Sequence, residues 1–248
     1  MANIKRKVLK GAVTALGSTV TIERIRALSP RLRLLRMQGE AIERMTWAPG
    51  DKIKLHVGQG VMRSYTPARV DRAGRSMDVV VHLHGRGPAS AWASRLRGGE
   101  EVSFFGPARS MAAGLEDEPP WAMFLGDETA IGLAQAMTEA CEPCTEIFGA
   151  IELHPDDLGA VDALGLPLRA VPRDDDEPGP ALVDWLAQTW VPPGDGVVWL
   201  SGEASTVLEL RTALLERGLS RSQLQIKPYW SMRGAAHRKR LERGALVA

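Results

Sequence analysis

The sequence predicts two domains of different classes, an antiparallel β-barrel followed by an α/β domain with a parallel sheet. In the first half, short apolar-patterned segments are separated by turn-forming residues, as is typical of barrels and sandwiches. From residue 121 onward, strand patterns alternate with helix patterns, which indicates parallel strands joined by crossover helices. We therefore expect one domain at residues 1–113 and another at 121–248, with residues 114–120 as the linker.

The barrel prediction depends on period-2 patterning. In residues 52–57 the side chains of Ile53, Leu55 and Val57 share one face, and lysines or histidine occupy the other. Glycine, proline and aspartate clusters mark turns near residues 50, 72 and 98. The remaining predicted elements are four strands and one helix: strands at 20–28, 32–37, 77–83 and 101–105, and the helix at 88–96.

The second half supplies the alternation of strands and helices. Strands are predicted at 121–125, 146–153, 168–171, 197–200 and 224–229, and helices at 128–140, 180–188 and 204–217. Ligands of such folds bind at the carboxyl edge of the sheet, where the strands lead into helices.

Composition excludes several classes of function. The 248-residue chain has 25% charged residues and a net charge of +1, so no global field would recruit nucleic acid or an anionic membrane. The sequence shows no apolar run long enough for a membrane span and no signal-peptide pattern, and it has only two cysteines, so we expect a cytoplasmic protein. The acidic run at 174–177 and the basic segment at 235–244 are interpreted as a solvated loop and a solvated helix.

Arg63-Ser64-Tyr65-Thr66 combines residue types that suit a flavin. An arginine fork can bind a diphosphate through paired charged hydrogen bonds. A tyrosine ring can pack on the isoalloxazine, and a threonine can reach the reactive nitrogen edge. Taken alone, the four residues favour a plain strand end, with an exposed arginine and a half-buried tyrosine, over a flavin site.

His84-Gly85-Arg86-Gly87-Pro88-Ala89-Ser90 leads from a strand through glycines into a helix. Pro88 suits the first helical turn, where the backbone N–H groups have no partner within the helix and can bind a phosphate. The alternative is a plain strand–turn–helix connection.

Two similar turns follow strands of the parallel sheet. Gly126-Asp127-Glu128-Thr129-Ala130 and Gly202-Glu203-Ala204-Ser205 both open helices at the edge where nucleotides bind. Neither contains the G-x-G-x-x-G pattern of dinucleotide folds, and Asp127 could serve only as a helix N-cap.

In order and spacing, these four segments and Tyr229-Trp230 resemble the siderophore-interacting family, over about residues 20–235. Each segment is weak evidence, but five in one order are specific. The resemblance implies a ferredoxin-NADP-reductase-like fold with FAD in the barrel. It also implies reduction of a ferric siderophore to release Fe(II), with NADH, NADPH or a ferredoxin as electron donor.

The resemblance also implies roles for individual residues. The cofactor-binding residues fall into two sets. The residues implied for FAD are Arg63, Tyr65, Thr66, Arg69, His82, Leu83, His84, Gly87, Pro88, Ala89 and Ser90. The residues implied for the nicotinamide nucleotide are Asp127, Glu128, Thr129, Ala130, Gly202 and Glu203. Tyr229 and Trp230 complete the cofactor set, although Trp230 could instead pack at the flavin or the domain interface. Lys227 and Arg233 are the candidates for binding an anionic siderophore. The chemistry needs no protein nucleophile or resident metal.

The sequence departs from the family pattern at several positions. The family's second arginine is replaced by Ala68, so either Arg69 takes its place or the flavin phosphates bind more weakly. A usual proline is replaced by the stretch around Gly132, and a usual glycine by Pro228. These changes leave two alternatives: a general flavin or ferric reductase, which includes the reductase partner of another redox protein, and a non-catalytic siderophore- or flavin-binding carrier.

Cys141 and Cys144 form a C-x-x-C pair at a predicted helix end. One such pair is half of a zinc site, and a redox-active pair would stand at a helix start, where the dipole lowers the thiol pKa. We expect inert thiols and no metal site.

Overall fold

The computed structural model describes residues 17–173 and 178–232. The acidic run at 174–177, Arg233 and the basic segment at 235–244 lie outside the described residues. Two compact units are present. The first takes in the chain up to Ala113 together with Ile131–Ala140 and Gly159–Leu166, and the second contains the rest. The assignment of functional domains to 1–113 and 121–248 stays a prediction.

The first unit contains a seven-stranded antiparallel sheet, as predicted. Its strands are β1 Ser18–Ala27, β2 Leu32–Gln38, β3 Lys52–His56, β4 Met62–Tyr65, β5 Arg69–Asp71, β6 Ser76–His82 and β7 Glu101–Ala108. Their order is β4-β3-β7-β1-β2-β6-β5. β4 and β5 stand at opposite ends of this order, yet only three residues separate Tyr65 from Arg69, and the Cα atoms of these two residues can be at most about 14 Å apart. The sheet must therefore curl.

Apolar alternation determines which face of this sheet is buried. Ile53 and Leu55 are fully buried, as the period-2 pattern predicts, and Lys54 between them is exposed. Ile53 and Leu55 belong to a core that also contains Phe104 and Val79. Helix α1 (Glu40–Glu43) and helix α2 (Gly87–Arg95) belong to the same unit.

The second unit contains a parallel sheet, again as predicted. Its strands are β8 Trp121–Asp127, β9 Glu146–Leu153, β10 Arg169–Pro172, β11 Gly196–Glu203 and β12 Leu224–Trp230, in the order β10-β9-β8-β11-β12. Every residue of β8 and β11 is buried, as expected for inner strands covered on both faces. The remaining α-helices among the described residues are α3 Ile131–Glu139, α4 Gly159–Leu164, α5 Pro180–Gln188 and α6 Ala204–Glu216.

Several local predictions were wrong. Arg63-Ser64-Tyr65 lies within β4, a strand that was not among the predicted elements. The helix expected at 128–140 begins as a 3-10 turn, Glu128–Ala130, because the Asp127 carboxylate caps that turn. The sequence analysis missed β5, α1 and α4, which are too short for a clear period. No helix among the described residues is long and apolar enough to cross a bilayer.

Candidate functional site

Strand β4 presents the first predicted flavin segment at the end of the antiparallel sheet. Arg63 and Ser64 are exposed, Tyr65 is half-buried, and Thr66 is only 6% exposed. The Arg63 guanidinium donates a hydrogen bond to the carbonyl of Met62 at 2.9 Å, so it lies at the surface beside its own strand. An exposed cation therefore stands next to a buried hydroxyl and an aromatic ring.

Tyr65 packs against the core of the first unit. Burial raises the pKa of its phenol to about 12, and Arg63 opposes that rise. The phenol therefore stays protonated at neutral pH and can donate a hydrogen bond.

Helix α3 approaches the Thr66 backbone closely. A Cβ atom at Gly132 would lie 3.3 Å from the Thr66 carbonyl oxygen and 3.6 Å from Cβ of Val80. The lack of a side chain at Gly132 therefore lets helix α3 pack closely against the Thr66 backbone.

Arg69, the candidate replacement for the family's missing arginine, is held by an ion pair. Its Nε donates to Glu139 at 2.9 Å, and its Nη2 donates to the other carboxylate oxygen. The hydrogen bond to Glu139 is the main cause of a raised Arg69 pKa. Gln135 also donates to Glu139, at 2.9 Å, and Ala68 is buried. Binding a phosphate with Arg69 would require breaking this pair.

The turn after β6 is open and glycine-rich. Gly85 and Gly87 adopt positive φ angles of 76° and 78°. A Cβ at Gly85 would meet nothing within 4 Å, and the amide of Gly85 donates to Ser90 Oγ at 3.0 Å. Helix α2 begins here with extended Arg86 as its N-cap and no capping side-chain hydrogen bond. Its first N–H groups are therefore not capped by a side chain and remain suited to an anion.

The predicted residues before this turn are close together. The rings of His82 and His84 have centroids 5.9 Å apart and are tilted by 56°. Leu83 packs against the core, and its amide donates to the carbonyl of Arg31 at 2.7 Å. The turn thus joins an imidazole pair to the start of α2.

An open groove of about 520 Å³ lies beside α2. Its lining includes Pro88, Trp92 and Arg95 of the helix, and Val57 and Gln59 of the β3–β4 turn. An apolar ring, a cation and an open helix start therefore line one space.

At the carboxyl edge of the parallel sheet, Asp127 links three segments. Its Oδ1 accepts from Thr129 N at 2.9 Å and from Thr129 Oγ1 at 2.5 Å. Its Oδ2 accepts from Glu203 N and from Trp230 Nε1, both at 2.8 Å. Burial, and secondly the nearby Glu128 carboxylate, raise the Asp127 pKa despite these hydrogen bonds.

Gly202 is required by this arrangement. Its φ is 128°, and a Cβ there would lie 2.5 Å from Asp127 Oδ2. The glycine of the Gly202-Glu203-Ala204-Ser205 turn thus makes room for the carboxylate that ties β8 to β11.

Glu203 caps helix α6. Its Oε2 accepts from Ser205 N at 2.5 Å and Thr206 N at 3.1 Å, while Oε1 accepts from Met232 N at 3.1 Å. Glu128 is also buried, and its carboxylate lies 2.9 Å from the Arg173 guanidinium. All three acids of the predicted nucleotide set, Asp127, Glu128 and Glu203, therefore make intrachain contacts.

The remaining predicted residues at this edge belong to β12. Lys227 is partly exposed, and its carbonyl accepts from Ser201 Oγ at 2.7 Å. Tyr229 and Trp230 are also partly exposed. Arg233 falls outside the described residues, so the predicted Lys227 and Arg233 pair stays a prediction.

Two family models match this chain. The model described as siderophore-interacting FAD-binding domain matches residues 56–111, and the model described as siderophore-interacting protein matches residues 119–233. Together they cover more than half of the sequence. The chain belongs to the siderophore-interacting protein family.

Solved structures with the same fold include relatives of this siderophore-interacting protein. A siderophore utilization protein from T. fusca is 23% identical, with a TM-score of 0.72 over 87% of this chain and 93% of that chain. The siderophore-interacting protein SipS from Aeromonas hydrophila is 24% identical, with a TM-score of 0.68 over 86% of this chain and 97% of that one. The FAD/NAD-binding domain of a Vibrio cholerae nitric oxide dioxygenase is 16% identical, with a TM-score of 0.69 over 87% and 99%. No curated protein sequence matched.

This chain thus shares its fold with these proteins, and its residues 56–111 match an FAD-binding domain of the family. Sequence reasoning missed Glu152 of β9, which is 1% exposed. It named Gly132 only as a departure from the family pattern and did not predict that Gly132 lies against Thr66. A glutamate within the apolar run Ile151-Glu152-Leu153 was the available signal, because a buried charge needs a specific partner.

The C-x-x-C pair of this siderophore-interacting protein has one shielded thiol. Burial raises the pKa of Cys141 to about 11, whereas Cys144 is exposed. A thiol with that pKa is almost entirely protonated at neutral pH and is a poor nucleophile.

Proposed function

We propose that this protein is an FAD-dependent reductase of ferric siderophores. It would take electrons from NADH, NADPH or a ferredoxin and release iron as Fe(II). The observation that carries the proposal is the start of α2, where an uncapped helix follows a glycine turn beside an open groove, within the segment that matches the FAD-binding family model.

The residues of the first unit fit FAD. The N–H groups of Gly87, Ala89 and Ser90 would bind the diphosphate at the start of α2, and the Arg63 guanidinium would add a charge-assisted bond. The groove beside Trp92 has room for the part of a dinucleotide beyond its phosphates. Tyr65 and Thr66 would contact the isoalloxazine.

When bound, FAD accepts a pair of electrons and releases them singly, which is the chemistry that reduction of Fe(III) requires. The chain's own part is binding and orientation. Helix α3 and the core fix the Tyr65-Thr66 segment, so the neutral Tyr65 phenol would be held in place to donate a hydrogen bond.

Ferric siderophore is the proposed substrate, and Lys227 is a candidate cation for an anionic complex. A ferredoxin is proposed as an alternative electron donor to NADH and NADPH. We propose the cytoplasm as the location, which the presence of only two cysteines supports. No nucleic-acid partner and no stable membrane insertion are part of the proposal.

An anaerobic absorbance titration tests the function. The purified chain is loaded with FAD, reduced with a donor, and mixed with ferric siderophore and a ferrous-iron chelator. We expect the flavin band to bleach and then to recover as Fe(II) appears. Failure to retain any flavin would refute the cofactor assignment, and reduced protein that leaves ferric siderophore unchanged would refute the reductase.

Arg63→Ala is the matched variant for this titration, with the exposed Arg97→Ala as its control. Loss of one charge-assisted phosphate contact should weaken FAD binding about tenfold or more. Equal FAD affinity in the two variants would remove Arg63 from the proposed site.

A further inference from the structure

Two histidine rings lie side by side at the end of strand β6. His82 is the last residue of β6, and Leu83 packs against the core, so the side chains of His82 and His84 emerge on the other face of the chain. Their ring centroids are 5.9 Å apart. His84 is exposed, so its ring can turn to present either nitrogen. A pair of imidazoles thus points away from the core at one place.

The spacing of the two rings suits two bonds to one metal ion. An imidazole nitrogen lies about 2.1 Å from a divalent metal ion, which puts the ring centroid about 3.3 Å from the ion. Two such centroids are about 4.7 Å apart when the N–metal–N angle is about 90°, and about 6.6 Å apart when it is linear. The observed 5.9 Å falls between these limits. The 56° tilt is compatible, because each ring can rotate about its own N–metal bond.

Such a pair would leave most of the coordination sphere of the ion open. Among the residues that the structure describes, no group of three or more histidine, cysteine, aspartate or glutamate side chains could hold a metal. Structural metal sites use about four protein ligands, whereas two imidazoles leave positions for water or for the oxygens of another ligand. The histidine pair therefore suits an ion that arrives and leaves rather than a resident metal.

The histidine pair is close to two parts of the proposed flavin site. A Cβ placed at Gly132 would lie 3.6 Å from Cβ of Val80 and 3.3 Å from the Thr66 carbonyl oxygen, so Val80 lies beside the Thr66 segment. The pair begins two residues after Val80, a distance of about 7 Å along a strand. At its other end, Cε1 of His84 would lie 4.0 Å from a Cβ placed at Gly87, the first residue of α2. The imidazoles therefore lie near the places proposed for the isoalloxazine and the diphosphate.

We propose that His82 and His84 form a transient binding site for the Fe(II) that the proposed reductase produces. The inference rests on that proposed function and adds the place where its product is first bound. Imidazole nitrogen is a good ligand for iron, and Fe(II) is a softer ion than Fe(III), so reduction favours nitrogen over the oxygens of a siderophore. A cofactor diphosphate at the start of α2 would add negative charge beside the bound cation.

Transfer of iron to the pair is an exchange of ligands. The bonds between Fe(II) and the siderophore oxygens break, two Fe–N bonds form, and the released oxygens take up protons from the solvent. The oxidation state stays Fe(II), since reduction is complete before this step. Binding by the histidines would thus keep the ion from returning at once to the freed siderophore.

Calorimetric titration with Co(II) tests the site without any electron transfer. It uses the full chain, oxidised and saturated with FAD. Co(II) is stable in air and directly follows Fe(II) in the order of divalent metal affinities, and Fe(II) itself is then titrated without oxygen. We expect one ion per chain that depends on both histidines. His82→Asn and His84→Asn each remove one imidazole and should raise the Kd about tenfold or more.

His154→Asn is the matched control. His154 belongs to the second unit, and its ring accepts a hydrogen bond from the Asp156 amide, a capping role that asparagine can also fill. This variant should leave the Kd unchanged. Flavin absorbance and circular dichroism check that each variant holds FAD and is folded. A wild-type Kd above about 1 mM would overturn the proposal, as would equal Kd values for a folded His82→Asn or His84→Asn variant and the control.

Retention of iron gives a second readout and separates the site from the reductase function. Protein reduced with dithionite is mixed with ferric siderophore without oxygen, at a protein concentration above the measured Kd, and then ultrafiltered. Fe(II) should be held back by the wild type and by His154→Asn, but not by His84→Asn. Wild type that reduces the siderophore yet holds back no Fe(II) would overturn the site alone. Wild type that binds Co(II) yet reduces no siderophore would uphold the site and refute only the reductase function.

Discussion

Replacing Asp127 with alanine should destabilise the second unit substantially. The carboxylate accepts four hydrogen bonds, from two groups of Thr129, from Glu203 N and from Trp230 Nε1. Net loss of a hydrogen bond costs about 1 kcal/mol, and more when the abandoned donor stays buried. Four such losses give about 4 kcal/mol or more.

One contribution to the free energy of unfolding partly offsets the stability lost with these hydrogen bonds. The Asp127 pKa is raised by burial, so the ionised carboxylate is itself costly at neutral pH, and alanine removes this cost. A net decrease of about 2–4 kcal/mol in the free energy of unfolding is therefore expected. It would be larger at pH 4 than at pH 7, because the opposing term falls as the carboxyl becomes protonated.

Urea unfolding followed by both circular dichroism and tryptophan fluorescence would measure this change. Two probes are needed because a chain with two units need not unfold in one step. Asp184→Ala is the control, since Asp184 is exposed on α5 of the same unit. The estimate from four hydrogen bonds would be refuted if the free energy of unfolding fell by less than about 1 kcal/mol in Asp127→Ala, or by no more than in the control.

Three further predictions concern single contacts. Ser90→Ala removes the acceptor of the Gly85 amide and should weaken FAD binding several-fold, which flavin fluorescence quenching would measure. Glu139→Gln weakens a pair whose side chains are 51% and 37% exposed, so thermal unfolding should show a loss below about 1 kcal/mol, while the released Arg69 should leave FAD affinity equal or higher. Glu152→Gln should gain stability relative to the wild type as the pH rises from 5 to 8, measured by urea unfolding, because a carboxyl with a raised folded-state pKa destabilises the fold as it ionises.

Each of these has a contrary outcome. Unchanged FAD affinity in Ser90→Ala would mean that the Gly85 turn holds its shape without that bond. A large stability loss in Glu139→Gln would mean that the pair is shielded from solvent. A pH-independent difference between Glu152→Gln and the wild type would contradict the raised pKa, with Glu146→Gln as the reference.

The sequence predicted both sheets because their patterns are regular. The alternation at Ile53 and Leu55 follows from a strand with one buried face. The continuous apolar run at the start of β8 follows from a strand that is buried on both faces. Glycine at 85 and 87 marked the turn at α2, since positive φ angles favour glycine. These features are local, so a single sequence reveals them.

The internal roles of the acids could not be predicted in the same way. Asp127 and Glu203 are 76 positions apart, and their hydrogen bond exists only because parallel strands end at one edge. The pair of Arg69 with Glu139 spans 70 positions. Sequence spacing identifies a polar residue at a strand end, but the partner that it faces depends on the three-dimensional register.

The first unit is built from three separate stretches of chain, since Ile131–Ala140 and Gly159–Leu166 group with the residues before Ala113. A gene fragment ending at residue 113 would therefore lack two helical pieces of that unit. A single recombination crossover would consequently not move this compact unit as a whole. On the ribosome, it cannot be completed until residue 166 has emerged.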